Sequence, residues 1–415
     1  MTTAAPATSY QYDVERDDPT APEQLGEGSS PLDAPKRRIG RTILRWVAIV
    51  LLVLVAIGVY VFAISPMGIG TSLVAFTSAL VPVAIVVLGV WWLNRYTPLP
   101  GRVLRFAFGY GAAVSVLLSL VIGTVVELLL LKGGDAGANE FIGAVIQAPI
   151  VEESMKGLGL VILFLVARRS VTGPLDAVVC AALIAGGFAF TENILYFGRA
   201  FAQAQAAGET SAFWQTFVLR GLLSPFAHVA FTSMTGLGIG IAAQRRRFPL
   251  IIGLGLLGLS LAMALHALWN GATFFLDVDP KAPLASFLRY YLMVQVPIFV
   301  LIAAIMTWLR LREKRIVRRE LAEYGRAGWF TPAEVDMLVS LRRRRRAEKW
   351  AKGHGALVAI EMRAFIRDAV ELAMTRHAVE VSQETPRTRK TEAGLLRAVT
   401  AHRRRIGALS APVVP

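Results

Sequence analysis

The chain has 415 residues, 55% of them apolar, a formal net charge of +15 and a mean hydropathy of +0.54. Several apolar runs exceed the eighteen or so residues that read as a membrane span, which excludes a water-soluble globular domain and points to a polytopic membrane protein with polar ends. The single cysteine, Cys180, excludes an intramolecular disulfide and a cysteine metal cage, and basic residues gathered at span ends and in the C-terminal tail suit an anionic membrane surface, with no support for nucleic-acid binding.

Residues 1–42 hold Pro6, Pro19, Pro22, Pro31 and Pro35 among Ser, Gly and acids, and read as a disordered cytoplasmic leader. No short apolar core follows a charged start, so a cleavable signal peptide is not expected. A membrane domain follows over 43–311. Its apolar runs predict eight spans at about 43–64, 70–93, 106–131, 140–167, 175–197, 213–243, 248–275 and 285–310. Lys and Arg fall in alternate loops, with Arg95 and Arg102, Arg168 and Arg169, then Arg245 to Arg247 on one side. That alternation predicts a multi-pass protein of the cell membrane with both termini cytoplasmic. The expected fold is therefore all-α, a polytopic membrane helix bundle with a partly helical, basic cytoplasmic tail over 312–415. In that tail Thr331 and Pro332 predict the start of a helix running to Lys349. The run Arg342 to Arg346 reads as a solvated face, with anionic lipid headgroups as its other partner.

Ionisable groups at bilayer depth are costly and so are functional candidates. The fourth span carries Glu152, Glu153 and Lys156. On a helix Glu152 and Lys156 stand at i and i+4 and can neutralise each other, which leaves Glu153, turned about 100° away, to face something else. Pro149 predicts a local bend. The fifth span holds Gly186, Gly187 and Ala189, small enough for close helix approach, then Glu192, Asn193 and Tyr196, whose hydroxyl lies one turn from Glu192. Arg220 and His228 with Thr232 lie on the sixth span, His266 with Asn270 on the seventh. Arg220 reads as a snorkelling or partner charge. At 1.5 Å per residue, Glu192 sits about 8 Å from its span end and Glu153 about 20 Å from the matching end, so the set is expected to spread over roughly half the hydrocarbon thickness.

The order Glu152-Glu153-x-x-Lys156, then Phe188-x-x-x-Glu192-Asn193, then Phe226-Ala227-His228, then His266-x-x-Trp269-Asn270 resembles the PrsW family of bacterial intramembrane proteases. That family is distantly similar to the prenyl-protein (CAAX) proteases and bacteriocin-processing enzymes. The match covers about 140–275, outside the leader and the tail. The resemblance implies a multi-helix protease acting on membrane-anchored proteins, with anti-sigma factors as the best-known substrate class. It assigns Glu152, Glu153, Glu192, His228, His266 and Asn270 to the catalytic site, with Lys156, Asn193 and Tyr196 in support. Glu192 stands where the prenyl-protease relatives have a His, so their Glu and His pair does not transfer intact.

Peptide hydrolysis needs an activated water, a stabilised oxyanion and a proton for the leaving amine. Glu152 or Glu153 is the expected base, His266 and Asn270 the expected oxyanion partners. Glu153, His228 and His266 form the expected metal set, with zinc as the ion; a metal-free glutamate mechanism uses the same residues. No His-Glu-x-x-His helix exists, and neither Ser154, Ser224 nor Cys180 stands in a nucleophile turn. Two rival functions use the same polar residues. A proton-coupled transporter would employ a Glu and His relay and internal repeats; a membrane scaffold would keep the polar spans as structure and bind partners through the basic tail.

Overall fold

A computed structural model describes residues 49–130, 136–168, 170–245, 248–274, 283–381 and 386–411. Among these every regular element is helical, in keeping with the all-α bundle expected from the apolar runs. The leader expected at 1–42 lies outside the described residues.

Among the described residues, seven helices are long and apolar enough to cross a membrane: α1 (Ile49–Met67), α2 (Ile69–Leu93), α3 (Gly101–Leu129), α5 (Pro174–Ala207), α6 (Ser211–Arg245), α7 (Pro249–Phe274) and α8 (Ala285–Arg326). The eighth expected span, α4 (136–167), is also helical and packs on α3, α5, α6 and α7. Its Glu152, Glu153 and Lys156 lower its apolar content, so composition alone does not class it with the others. The bend expected near Pro149 is a π-helical turn, Ile142–Gln147. Proline supplies no N–H to the turn before it, and one wide turn relieves that gap.

Local chemistry sets where α5 begins and ends. Pro174 occupies its first turn, and Asp176 accepts from the Thr172 amide at 2.8 Å, the Thr172 hydroxyl at 2.9 Å and the Gly173 amide at 3.2 Å. At the other end Gly208 takes a left-handed φ of 70°, which a side chain would resist. The helix thus runs ten residues past the expected end at 197, because polar and alanine-rich sequence after Tyr196 keeps good helix propensity. It is buried along most of its length and is the hub of the bundle.

Close backbone contact holds the site-bearing helices together. A Cβ at Gly187 of α5 would lie 2.1 Å from the Phe108 carbonyl of α3, and one at Gly238 of α6 would lie 2.0 Å from the Leu254 carbonyl of α7. Only a hydrogen fits at either place. Helix α6 is also broken: a π-helical turn, Phe217–Leu223, leads into non-helical Ser224 (φ −123°, ψ 29°), and helix resumes at Ala227 beyond Pro225. His228 therefore sits in the first turn of a half-helix inside the bundle.

α8 continues without interruption through 311 to Arg326 and leads into α9 (Pro332–Val339), α10 (Leu341–Gly353), α11 (Ala356–Val381) and α12 (Pro386–Ser410). The Thr331 hydroxyl accepts from the Glu334 amide as its cap pattern predicts, but the expected helix to Lys349 divides at Ser340. Ser340 is extended, and its own side chain caps α10. Val317, Leu321, Phe330, Leu338, Phe365 and Leu372 form a core for these helices, joined by Tyr96 from the α2–α3 loop. Burial pushes the Tyr96 phenol up to about 12, so at neutral pH it is a donor, to the Val339 carbonyl at 3.2 Å. The Arg342 to Arg346 run divides by side: Arg344 is buried and donates to the carbonyls of Leu338 at 2.6 Å and Tyr96 at 2.8 Å, while the other four are exposed.

Gly238→Leu is expected to destabilise the purified protein by at least ~3 kcal/mol, since overpacking at a backbone contact cannot relax. Gly253→Leu, on the same helix pair with nothing within 4 Å of its Cβ position, is expected to leave thermal unfolding in detergent unchanged.

Candidate active site

The cluster is organised by Lys156. Its ammonium donates to Glu153 at 2.8 Å, to Glu152 at 3.2 Å and to His228 Nδ1 at 3.0 Å, so its three protons are all engaged. The Phe188 ring covers it, 3.9 Å from Nζ to the centroid. Glu152 and Lys156 pair as expected, and Glu153 faces other spans as expected, but Lys156 reaches Glu153 as well. On a helix i+3 is as near as i+4, and a lysine stem reaches both. Glu153 is fully buried and held three ways: by Lys156, by the Thr232 hydroxyl at 2.8 Å and by His266 Nδ1 at 3.2 Å. Glu152 keeps 15% of its side chain open and has only Lys156.

Each imidazole is backed by a carboxylate. His228 Nδ1 accepts from Lys156, so Nε2 carries the proton and gives it to Glu192 at 2.8 Å. His266 Nδ1 gives its proton to Glu153, which leaves Nε2 as a bare lone pair. The rings lie 5.3 Å apart, edge to face, and Phe231 stacks on His266 at 4.8 Å with Trp269 behind it. This aromatic casing keeps the polar groups in fixed orientations.

Five of the expected residues, Glu152, Glu153, Glu192, His228 and His266, thus join one hydrogen-bonded network with Lys156. Glu192 also lies deeper in its helix than expected, about 22 Å from the end of α5 at 1.5 Å per residue and not about 8 Å, and meets the network through His228 of α6. Asn193 sits beside the network, accepting from Arg220 Nε at 3.3 Å. Tyr196 offers Arg220 its ring face, at 3.7 Å, where a hydroxyl bond to Glu192 was expected. Asn270 stands apart. Its amide donates to the Ala144 carbonyl at 2.8 Å and ties α7 to the π turn of α4.

Two residues belong in the site beyond those expected. Arg220 Nη2 donates to Glu192 at 2.7 Å, and Thr232 holds Glu153. Charge balance is the signal that points to Arg220: three acids in the spans face one Lys156, and a second cation is needed in a medium that tolerates little net charge.

Residues 99–302 match the PrsW-protease family, PrsW family intramembrane metalloproteases. The stretch that holds every residue of this cluster belongs to the PrsW family. No curated protein and no solved structure matches the chain significantly. Family membership makes the chain an intramembrane endopeptidase of the metalloprotease type, a multi-pass membrane protein whose substrate is a protein.

A PrsW metalloprotease needs a place for its ion, and the donor set here fits one. Glu152, His228 and His266 each offer a ligand atom within 4.8 Å of the others. Two imidazoles and a carboxylate with a position left open are the pattern of a catalytic zinc. Glu152 takes the place expected for Glu153, whose oxygens already accept from Lys156, His266 and Thr232. A second trio, Glu320, His377 and Glu380, lies where α8 meets α11. There the Arg319 guanidinium bonds both acids and supplies the positive charge itself.

The Lys156 network predicts strong coupling. Glu153→Gln and Lys156→Met are each expected to destabilise the protein by about 3–5 kcal/mol, because each leaves a buried charge without its partner. The double variant should lose clearly less than the sum, read by denaturant unfolding in detergent; strict additivity would contradict the network.

Proposed function

We propose that the protein hydrolyses a peptide bond of a membrane-anchored protein with a water bound among Glu152, His228 and His266, and that zinc is the ion held by these three. The observation that carries this reading is their approach within 4.8 Å around the Lys156 ammonium, inside the membrane bundle. An ion so bound would act as a Lewis acid and lower the pKa of water.

The chain's own groups would do the rest. Glu152 is the more open carboxylate of the α4 pair and is bonded at one oxygen only, so its other oxygen would be the one to hold the ion. Glu153 and Glu192 hold the two imidazoles in the tautomers that turn a lone pair toward the site. An ion taking His228 Nδ1 would free one proton of the Lys156 ammonium, which is then suited to balance the tetrahedral oxyanion and protonate the leaving amine. This role passes to Lys156 from Asn270, whose amide is committed to Ala144. Phe188, Phe231 and Trp269 exclude bulk water from the reacting atoms. The α6 break at Ser224 to Phe226 opens backbone next to His228, where an extended substrate strand can lie. Among membrane-anchored proteins, anti-sigma factors are the substrate class favoured by the resemblance. The alternation of basic loops supports a cell-membrane location with the tail in the cytoplasm.

In vesicles holding the purified protein and a single-span substrate, Glu152→Gln and His266→Ala are each expected to slow cleavage by at least ~10²-fold. A strong chelator should stop wild-type cleavage, and zinc should restore it. Folded variants that cleave at the wild-type rate would overturn the assignment.

A further inference from the structure

A cavity of about 1830 Å³ opens beside the second half of α4, between α4, α7 and the tail. It exceeds the roughly 300–1,000 Å³ of an ordinary small-molecule cleft. Its walls differ in chemistry. Leu158, Val161 and Leu165 of α4 and Ile252 and Leu256 of α7 line one part, all exposed and spaced along two membrane helices. Arg102, Arg168, Arg345 and Arg363 line the other, from the α3 start, the α4 end, α10 and α11.

None of these four arginines has a carboxylate partner among the described residues. Seven arginines line the cavity against four carboxylates, so it is basic as a whole. Of the acids, Asp176 is occupied by the start of α5, Glu313 is buried, and Glu348 and Glu371 lie near the other lining arginines Arg344 and Arg367, so the four named arginines keep no carboxylate. Arg345 gives one donor to the Leu341 carbonyl and keeps its remaining donors.

An occupant must therefore be apolar along its length and anionic at the end that meets the arginines. The cationic end lies in the loops whose basic residues assign them to the cytoplasmic face, where the membrane presents anionic lipid. We infer that this cavity binds an anionic phospholipid, its phosphate held by Arg168 and Arg363 and its acyl chains laid along α4 and α7. Arginine matches phosphate bidentately, and the exposed leucines and valine exchange one apolar medium for another at little cost. Bound there, the lipid joins α4 and α7, which carry Glu152 and His266, to α11 of the tail. Composition of the inner leaflet would then bear on how firmly the tail sits against the membrane domain.

Native mass spectrometry of the full chain in detergent tests this with phosphatidylglycerol and phosphatidylcholine as probes. The wild type is expected to bind phosphatidylglycerol at least tenfold more tightly than phosphatidylcholine. Arg168→Gln with Arg363→Gln should abolish that preference with thermal unfolding in lipid-free detergent unchanged, and Arg404→Gln, on the exposed face of α12, should keep it. Equal binding of the two lipids, or equal loss in Arg404→Gln, overturns the proposal. Should the double variant unfold, a photo-crosslinker at Val161 decides: attachment to phosphatidylglycerol supports the site, and attachment to a co-reconstituted single-span substrate protein in its place overturns it.

Discussion

An ammonium buried among membrane helices is stable only when all its protons are met and its charge is balanced. Lys156 meets both conditions at once, through Glu152, Glu153 and His228. The rest of the site is arranged around those three bonds. Because His228 gives its Nδ1 lone pair to Lys156, its proton must lie on Nε2 and face Glu192. Because Glu153 is engaged by Lys156 and Thr232, it can also hold His266 Nδ1 and leave Nε2 bare. One cation thus fixes two tautomers on two other helices. The same contacts would place Lys156 in competition with a divalent ion at the proposed site for Glu152 and for His228 Nδ1, so ion binding there would be linked to the lysine's position.

The bundle makes this cluster possible by bringing backbones together where side chains would keep them apart. Gly187 seats α5 on α3, and Gly238 seats α6 on α7. With α5 as hub, Glu192 arrives at the same depth as Glu153, and the break in α6 brings His228 in on the first turn of a new half-helix. Non-helical backbone at such a depth is tolerated where it lines a protein-enclosed site.

Most of this architecture was legible in the residues. The spans follow from run length, and α4 stood out because its charges interrupt an otherwise apolar stretch. The pair at i and i+4, Glu152 with Lys156, was also legible, since one helix fixes both members. What could not be read are relations between helices. Glu153 was expected to face other spans, but which groups it meets there, Thr232 of α6 and His266 of α7, depends on how the helices pack. Arg220 read as a snorkelling or partner charge, and the residues alone could not decide between the two because its acid, Glu192, is on α5. Asn270 looked catalytic from its spacing to His266, yet the same face of α7 also meets Ala144. The length of α5 and the split at Ser340 were missed for local reasons, a helix-favouring polar extension and a serine able to cap the next helix.

The trio on α4, α6 and α7 is the proposed ion site of this protease. Metal content of the purified full chain tests it without reference to turnover. One zinc per chain is predicted for the wild type and for Asn270→Ala. Glu152→Gln, His228→Ala and His266→Ala should each lose it while remaining folded, and His377→Ala should retain it. Full zinc content in the folded His266→Ala protein would contradict the account.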